Sequence, residues 1–297
     1  MSVLEVRGLG KSFPIGGALS LRRQQLHAVD DVSFTLRPGV VTALVGESGS
    51  GKSTVARMLS RLYPPSSGTI VFGGKDVSDV RRKRAVLAYR AQVQMIFQDP
   101  FASLNPVKRI DHHLKRPLLI HGICSRSEVD ERVCDLLQRV GLVPPEEIAA
   151  KYPHQLSGGQ RQRVAIARAL AVEPSVILCD EPISMLDVSI RIGILNLILQ
   201  LKRELQIAFL YITHDIASAR YVADEVIVMY RGRIVEQGPT DAVLQAPQHA
   251  YTRLLLSAVP NPESGLRLEP LVRGELGDDG PSRLVELEPG HLVRRSA

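Results

Sequence analysis

Short apolar runs and helix-spaced apolar stripes alternate along this chain, an order that predicts an α/β protein built in layers. Near the start, Val3-Leu4-Glu5-Val6 and Val32-Ser33-Phe34-Thr35-Leu36 alternate as half-buried strands do. Turn signals at Pro14-Ile15-Gly16-Gly17 and Pro38-Gly39 accompany them, and the group predicts an antiparallel β layer. The run Val40-Val41-Thr42-Ala43-Leu44-Val45 predicts a buried strand, and Val55, Met58, Leu59 and Leu62 fall on one face of the helix after it. A short strand over Gly68–Phe72 ends in the hairpin signal Gly73-Gly74, and an apolar strand over Val93–Phe97 ends at Gln98. From 99 to 155 the pattern is helix broken at Asp99-Pro100, Asn105-Pro106, Pro144-Pro145 and Tyr152-Pro153, which reads as an inserted helical subdomain. Leu156–Gln160 opens a helix with Ser157 at its N-cap, and Val176–Cys179 is a buried strand. Ile190, Ile194, Leu197, Ile198, Leu201 and Leu205 form a long helical stripe before the strand Phe209–Thr213, which ends at His214. Residues 225–237 read as a hairpin around Arg231-Gly232, 241–258 as a Leu-rich helix pair, and Leu284–Leu287 as a strand in a tail rich in Pro, Gly and acidic residues.

Composition narrows the class without choosing a function. At 297 residues and 44% hydrophobic the chain can bury a sizeable core, as one large or two small domains. No window approaches 18 consecutive apolar residues, and Met1–Arg7 lacks the basic-then-apolar order of a signal peptide, so the cytoplasm is the expected compartment. Cys124, Cys134 and Cys179 share no metal-ligand spacing, and Cys179 in its apolar run is expected to be buried and inert. A net charge of +6 suits nucleotide phosphates, nucleic acid or an anionic membrane face, but the basic residues are scattered.

The most specific chemistry is Gly46-Glu47-Ser48-Gly49-Ser50-Gly51-Lys52-Ser53, set between a strand and a helix. A phosphate loop needs that context: glycines that turn backbone N–H groups inward, and a helix N-terminus facing the anion. Gly46, Gly49 and Gly51 supply the backbone freedom, Lys52 would reach the β- and γ-phosphates, and the Ser53 hydroxyl would ligate Mg²⁺. An accidental glycine-rich turn would not require the flanking strand and helix. Gln98 is either an ordinary strand-end residue or a contact to Mg²⁺ and water that senses the γ-phosphate. Ser157-Gly158-Gly159 at a helix start is either a capped turn or a second anion site. Asp180-Glu181 ends a buried strand either in a structural turn or in a Mg²⁺ ligand, Asp180, beside a carboxylate for the attacking water, Glu181. Phe13 is a core aromatic or a ring for an adenine base. His112, His113 and His121 read as solvated or capping residues, since sequence neighbours on a helix face different ways. The polar ends of four buried strands, at the phosphate loop, Gln98, Glu181 and His214, are expected along one sheet edge, where α/β proteins bind ligands.

Together Gly46 to Thr54, Gln98, Leu156 to Gln160, Asp180-Glu181, Asp187 and His214 resemble, in order and spacing, the ATP-binding cassette ATPases. More narrowly, Gln94–Pro106, Tyr152–Gln160 and His249–Pro260 look like the dipeptide and oligopeptide importer ATPases. The resemblance implies a phosphate-loop, RecA-like α/β core with an antiparallel β subdomain, a helical subdomain over about 99–172 within a nucleotide-binding domain over 1–258, and a C-terminal extension over 259–297. It implies ATP and Mg²⁺ as cofactors, the latter at Ser53, Gln98 and Asp180. The implied nucleotide set is Phe13, Gly46, Glu47, Ser48, Gly49, Ser50, Gly51, Lys52, Ser53, Thr54, Ser157, Gly158, Gly159, Gln160 and Asp187. In the family pattern Glu181 polarises water, His214 contacts the γ-phosphate, Gln98 links the site to the permease, and Asp187 crosses the interface of a head-to-tail dimer. The partners implied are a second ATPase subunit, identical or not, membrane permease subunits and, indirectly, an extracytoplasmic solute-binding protein. The implied place is the cytoplasmic face of the membrane, without nucleic acid. Solutes of the subfamily include peptides, glutathione, nickel and oligosaccharides. Soluble cassette ATPases of DNA repair or ribosomes form the alternative class, but those carry long inserts, zinc modules or two cassettes where this chain has only residues 99–155 between Gln98 and Leu156. Two departures stand out: Met185 replaces the usual alanine before Leu186-Asp187, and no cysteine follows Cys179, so the iron–sulfur cluster of many relatives is expected to be absent. Finally, Phe101 and Leu104, held between prolines after Gln98, read either as an exposed anchor for a partner's helix or as side chains packed under the helical subdomain.

Overall fold

The structure is a computed structural model that describes residues 3–15, 24–99, 103–257 and 282–296. Two compact units divide the chain, one drawn from Met1–Asp79 and Leu210–Ala297, the other from Val80–Phe209.

The first unit begins with β1 (Leu4–Ile15), β2 (Gln24–Leu36), β3 (Val41–Val45), α1 (Lys52–Leu59), β4 (Ser67–Phe72) and β5 (Lys75–Asp76). As the alternation predicts, β2-β1-β4-β5 form an antiparallel sheet. Leu4 faces Leu36, Val6 faces Phe34 and Leu9 faces Val32, so one face of the β1–β2 ladder is apolar cross-strand pairs. Gly73 and Gly74 take φ of 54° and 77°, the left-handed pair that a two-residue hairpin turn demands. Helix α1 is shorter than its apolar spacing suggests. Arg61 adopts φ 57°, Leu62 N–H bonds the Arg57 carbonyl at 2.8 Å and Arg61 N–H bonds the Met58 carbonyl at 2.9 Å. This left-handed stop turns Leu62 out of the stripe to 49% exposure.

The second unit contains α2 (Lys83–Gln92), β6 (Val93–Ile96), α3 (Ile110–Ile120), α4 (Val129–Arg139), α5 (Pro145–Ala150), a 3₁₀ turn at Pro153–Gln155, α6 (Gly158–Leu170), β7 (Val176–Asp180) and α7 (Val188–Leu205). The chain leaves it through β8 (Ala208–Thr213). Strands β6 and β7 pair in parallel, Val93 with Val176 through Ile96 with Cys179, and every residue of β7 is buried, which is why its sequence is a continuous apolar run. The α7 stripe is buried at Ile194, Leu197, Ile198 and Leu201, while Leu205 at its end is exposed. Leu104 corrects the exposed-anchor reading. It is only 2% exposed, and the adjacent Ser103 carbonyl accepts a 2.5 Å bond from the Arg168 guanidinium of α6. Phe101 lies outside the described residues.

The first unit resumes with α8 (Ile216–Val222), β9 (Glu225–Tyr230), β10 (Arg233–Pro239), α9 (Thr240–Gln245), α10 (Ala250–Ser257), β11 (Ser282–Glu288) and β12 (His291–Ser296). Its strands run in the order β11-β12-β10-β9-β3-β8, with β3 parallel to β9 and the other described pairs antiparallel. Arg231 and Gly232, at φ 45° and 82°, close the expected β9–β10 hairpin. The strand expected over 284–287 is one arm of a second hairpin, whose other arm, β12, pairs with β10 at Glu236 and Gln237.

Candidate functional site

In the first unit, β3 delivers the chain to the glycine loop. Gly46 takes φ 148°, and a Cβ there would lie 2.2 Å from the Met229 carbonyl oxygen. Gly51 takes φ 106°, and a Cβ would lie 2.4 Å from the Ala28 carbonyl oxygen. Both glycines are required by backbone pressed against the loop. Gly49 differs: at φ 83° its Cβ would meet nothing within 4 Å, so it serves the turn and leaves open space beside it. The loop closes on itself through Ser50 N–H to the Glu47 carbonyl at 3.2 Å, and Gly232 N–H supports it from the β9–β10 turn by bonding the Ser50 carbonyl at 3.0 Å. Lys52 is buried, and its Nζ donates to the carbonyls of Gly46 and Glu47, each at 2.7 Å, and to Ser50 Oγ at 3.3 Å. The N-cap of α1 is Gly51, which has no side chain to take up the first N–H groups, and Ser53 and Thr54 sit half-buried on the first turn. Glu47, Ser48 and Gly49 form the exposed rim.

A residue that sequence reasoning did not assign to the loop also touches it: Glu47 N–H donates to Tyr251 Oη of α10 at 3.0 Å, across a separation of 204 residues. Phe13 is half-buried, edge-on to Tyr63 with ring centroids 5.7 Å apart, and Lys11 Nζ lies 5.2 Å from its centroid. It is therefore not a core ring. His214 is exposed directly after β8, where Asp215 caps α8 by accepting Ala217 N–H at 3.0 Å.

In the second unit, β6 and β7 bring two candidates together, for Gln98 Nε2 donates to Glu181 Oε2 at 3.0 Å. Glu181 takes φ 49°, a conformation costly for a residue with a Cβ. Its carbonyl accepts both Ser184 N–H, at 3.3 Å, and Ser184 Oγ–H, at 3.1 Å. Asp180 is buried at the end of β7. Before it, Cys179 is fully buried, and burial pushes its thiol up, helped by the Asp180 charge, so it stays protonated and inert. Ser157 caps α6 as expected: its Oγ accepts Gln160 N–H at 3.2 Å, and Gln160 Oε1 accepts Ser157 N–H at 3.0 Å. A Cβ on Gly159 would fall 2.5 Å from Ile190 Cγ2, so that glycine lets α6 approach α7. Asp187 is exposed at the N-cap of α7, flanked by exposed Met185, Val188 and Ile192. His113 bonds the Asn105 carbonyl at 3.2 Å, a structural contact.

The family model described as "ABC transporter" matches residues 29–184, and that described as "Oligopeptide/dipeptide transporter, C-terminal region" matches residues 235–279. A glutathione import ATP-binding protein of Pectobacterium atrosepticum is 48% identical, covering 97% of this chain and 46% of its own length. Its counterpart in Escherichia coli K12 is 49% identical, covering 98% of this chain and 48% of its own. The chain thus spans about half the length of these relatives. Among solved structures, the ATP-binding cassette MJ0796 bound to ADP and Pi superposes with a TM-score of 0.70 at 28% identity, covering 80% of this chain and 98% of that one. The cbiO1 protein of Clostridium perfringens, part of the ABC transporter complex cbiONQ, gives 0.69 at 30% identity, covering 82% and 91%.

Proposed function

The chain belongs to the ABC transporter family, and from that premise we propose that it binds and hydrolyses ATP to energise import of a peptide-class solute through a separate permease. The observation that carries the reading is Lys52, whose ammonium is held by oxygens of the glycine loop at the start of α1. Those oxygens are neutral carbonyls and a hydroxyl. A triphosphate laid along the loop offers charged oxygens instead, and charge-assisted bonds of that kind are about twice as strong as neutral ones. Nucleotide would thus draw Lys52 out of its internal bonds, while the α1 N-terminus and the space beside Gly49 accept the phosphates. Thr54 would contribute on the same turn, and half-exposed Phe13 would stack on the base.

For the chemical step we assign Glu181 to polarise the attacking water, Gln98 to orient it, and His214 to contact the γ-phosphate. The left-handed backbone of Glu181 and its bond from Gln98 support this, because strain of that kind persists where surrounding structure fixes it for a task. The Ser53 hydroxyl and the Asp180 carboxylate are hard oxygen donors of the sort Mg²⁺ accepts, and bound Mg²⁺ would neutralise phosphate charge. Ser157, Gly158, Gly159 and Asp187 are assigned to a second ATPase subunit's nucleotide; exposed apolar Met185, Val188 and Ile192 around Asp187 favour burial against a partner. No helix among the described residues is long and apolar enough to cross a membrane, and the permease would provide membrane attachment. The relatives' glutathione-import names and the oligopeptide/dipeptide region support a peptide-class cargo. Scattered Cys124, Cys134 and Cys179 give no iron–sulfur site in this proposal.

Two variants separate binding from chemistry. Lys52→Ala should lose nucleotide affinity. Glu181→Gln should bind MgATP while turning it over about 10²- to 10⁴-fold more slowly. Equilibrium binding and steady-state phosphate release read the two effects, and near-normal turnover by Glu181→Gln would remove that carboxylate from the step.

A further inference from the structure

A buried polar chain runs through the first unit from the C-terminal hairpin to the phosphate loop. Glu236 of β10 is fully buried, and its carboxylate accepts His291 Nε2–H of β12 at 2.8 Å, Gln248 N–H at 2.9 Å and His249 N–H at 3.0 Å. His249 Nδ1 in turn accepts Tyr251 N–H at 3.1 Å, so the entry to α10 is clamped by side chains from both directions. Tyr251 is 1% exposed, and its ring packs against Tyr230 with centroids 4.2 Å apart. Burial pushes its phenol up to about 12, so Oη remains protonated at any working pH. Its acceptor role fixes one end of a single peptide group. The Gly46 carbonyl is bonded by Lys52 Nζ at 2.7 Å, and the N–H of the same peptide, that of Glu47, is bonded by Tyr251 Oη at 3.0 Å. The two anchors pull on opposite edges of one plane.

We infer that Tyr251 is a positioning residue for the phosphate loop, holding the Gly46–Glu47 peptide in place while Lys52 exchanges the Gly46 carbonyl for a nucleotide phosphate. The inference rests on the proposed nucleotide-binding role of the loop. A peptide held only by Lys52 would lose that anchor once the lysine leaves, and Gly46, which has no Cβ, adds no side-chain hold of its own. Tyr251 supplies a hold that nucleotide does not disturb. His291 and Glu236 explain why a helix 204 residues away in sequence stays placed to do so.

Tyr251→Phe in the full chain removes only the hydroxyl. MgADP affinity, measured by titration calorimetry, should fall between about threefold and tenfold, the worth of one such hydrogen bond. The Michaelis constant for ATP should rise by more than the turnover number falls. A merely structural role would lower the melting temperature and leave the affinity of the folded protein within twofold of the parent, and that result overturns the inference. Hydrogen exchange on the unmodified chain gives a reading independent of the variant's folding: the Glu47 amide should exchange at least about tenfold more slowly than the exposed Ser48 and Gly49 amides. Equal exchange overturns the inference. If the parent chain binds neither MgADP nor MgATP, the nucleotide-binding proposal fails, whatever the state of the Glu47 amide.

Discussion

Backbone pressed against the loop requires glycine at 46 and 51, the turn alone requires it at 49, and the difference is measurable. At Gly51 an added Cβ meets both a left-handed φ of 106° and the Ala28 carbonyl at 2.4 Å, whereas at Gly49 it meets only φ 83° with nothing within 4 Å. Gly49→Ala should therefore cost about 1–2 kcal/mol, the left-handed penalty. Gly51→Ala should cost that plus about 1–3 kcal/mol of overpacking. Denaturant midpoints of the nucleotide-free variants check the order, and equal costs would mean that the backbone around Ala28 yields freely. The sequence shows that these positions are glycine and that a loop needs them; it carries no trace of Ala28 or Met229 approaching. Tyr251 was hidden for the same reason, since no spacing rule connects a ring in a Leu-rich helix with an amide 204 residues earlier. The Gln98 and Glu181 pair was easier to read, because each closes an apolar run, and neighbouring strands of one sheet bring such ends together.

At the scale of elements, α6 shows a local signal and a tertiary one side by side. The Ser157–Gln160 capping box is visible in four residues, and Ser157→Ala should cost about 1 kcal/mol. The need for glycine at 159 comes from α7, whose Ile190 Cγ2 would sit 2.5 Å from the new Cβ. Gly159→Ala alone should destabilise by about 1–3 kcal/mol. Combined with Ile190→Ala it should cost clearly less than the two single changes summed, because the clash disappears with the isoleucine. A double-mutant cycle in urea measures the coupling, and strict additivity would mean that Ile190 rotates away unaided. Helix ends follow the same division. The close of α1 depends on Arg61 in a left-handed conformation where glycine is the usual signal, so the apolar spacing ran on to Leu62. Leu104 is buried although prolines flank its segment, and nothing nearby in sequence signals that the Arg168 guanidinium of α6 bonds the Ser103 carbonyl next to it.

For the molecule as a whole, the strand and helix order was legible because each buried strand is a continuous apolar run with a polar residue at its end, a pattern that survives without knowledge of packing. The electrostatics of the helical segment were less so, and they set the response to acid. Burial holds His113 below the ordinary 6.5, reinforced by the nearby Arg168 and His112 charges and only partly opposed by its bond to the Asn105 carbonyl. His121 is lowered by burial as well. Both are depressed in the folded state, so their contribution is fully present above pH 6.5 and is lost as pH falls from there through the folded values, while the unfolded chain takes up protons first. Asp111 adds a later loss. Burial raises its carboxyl, but bonds from Arg109 and Lys115 outweigh that and hold it below 3.8, so its stabilisation disappears only as pH falls below that value. Thermal midpoints measured from pH 8 to pH 3 should accordingly decline in two steps, one beginning near 6.5 and one below 3.8. His113→Gln keeps a donor for the Asn105 carbonyl while removing the titration, and should shrink the first step alone; adding His121→Gln should flatten it. A first step of undiminished size in the double variant would assign the acid sensitivity to other groups.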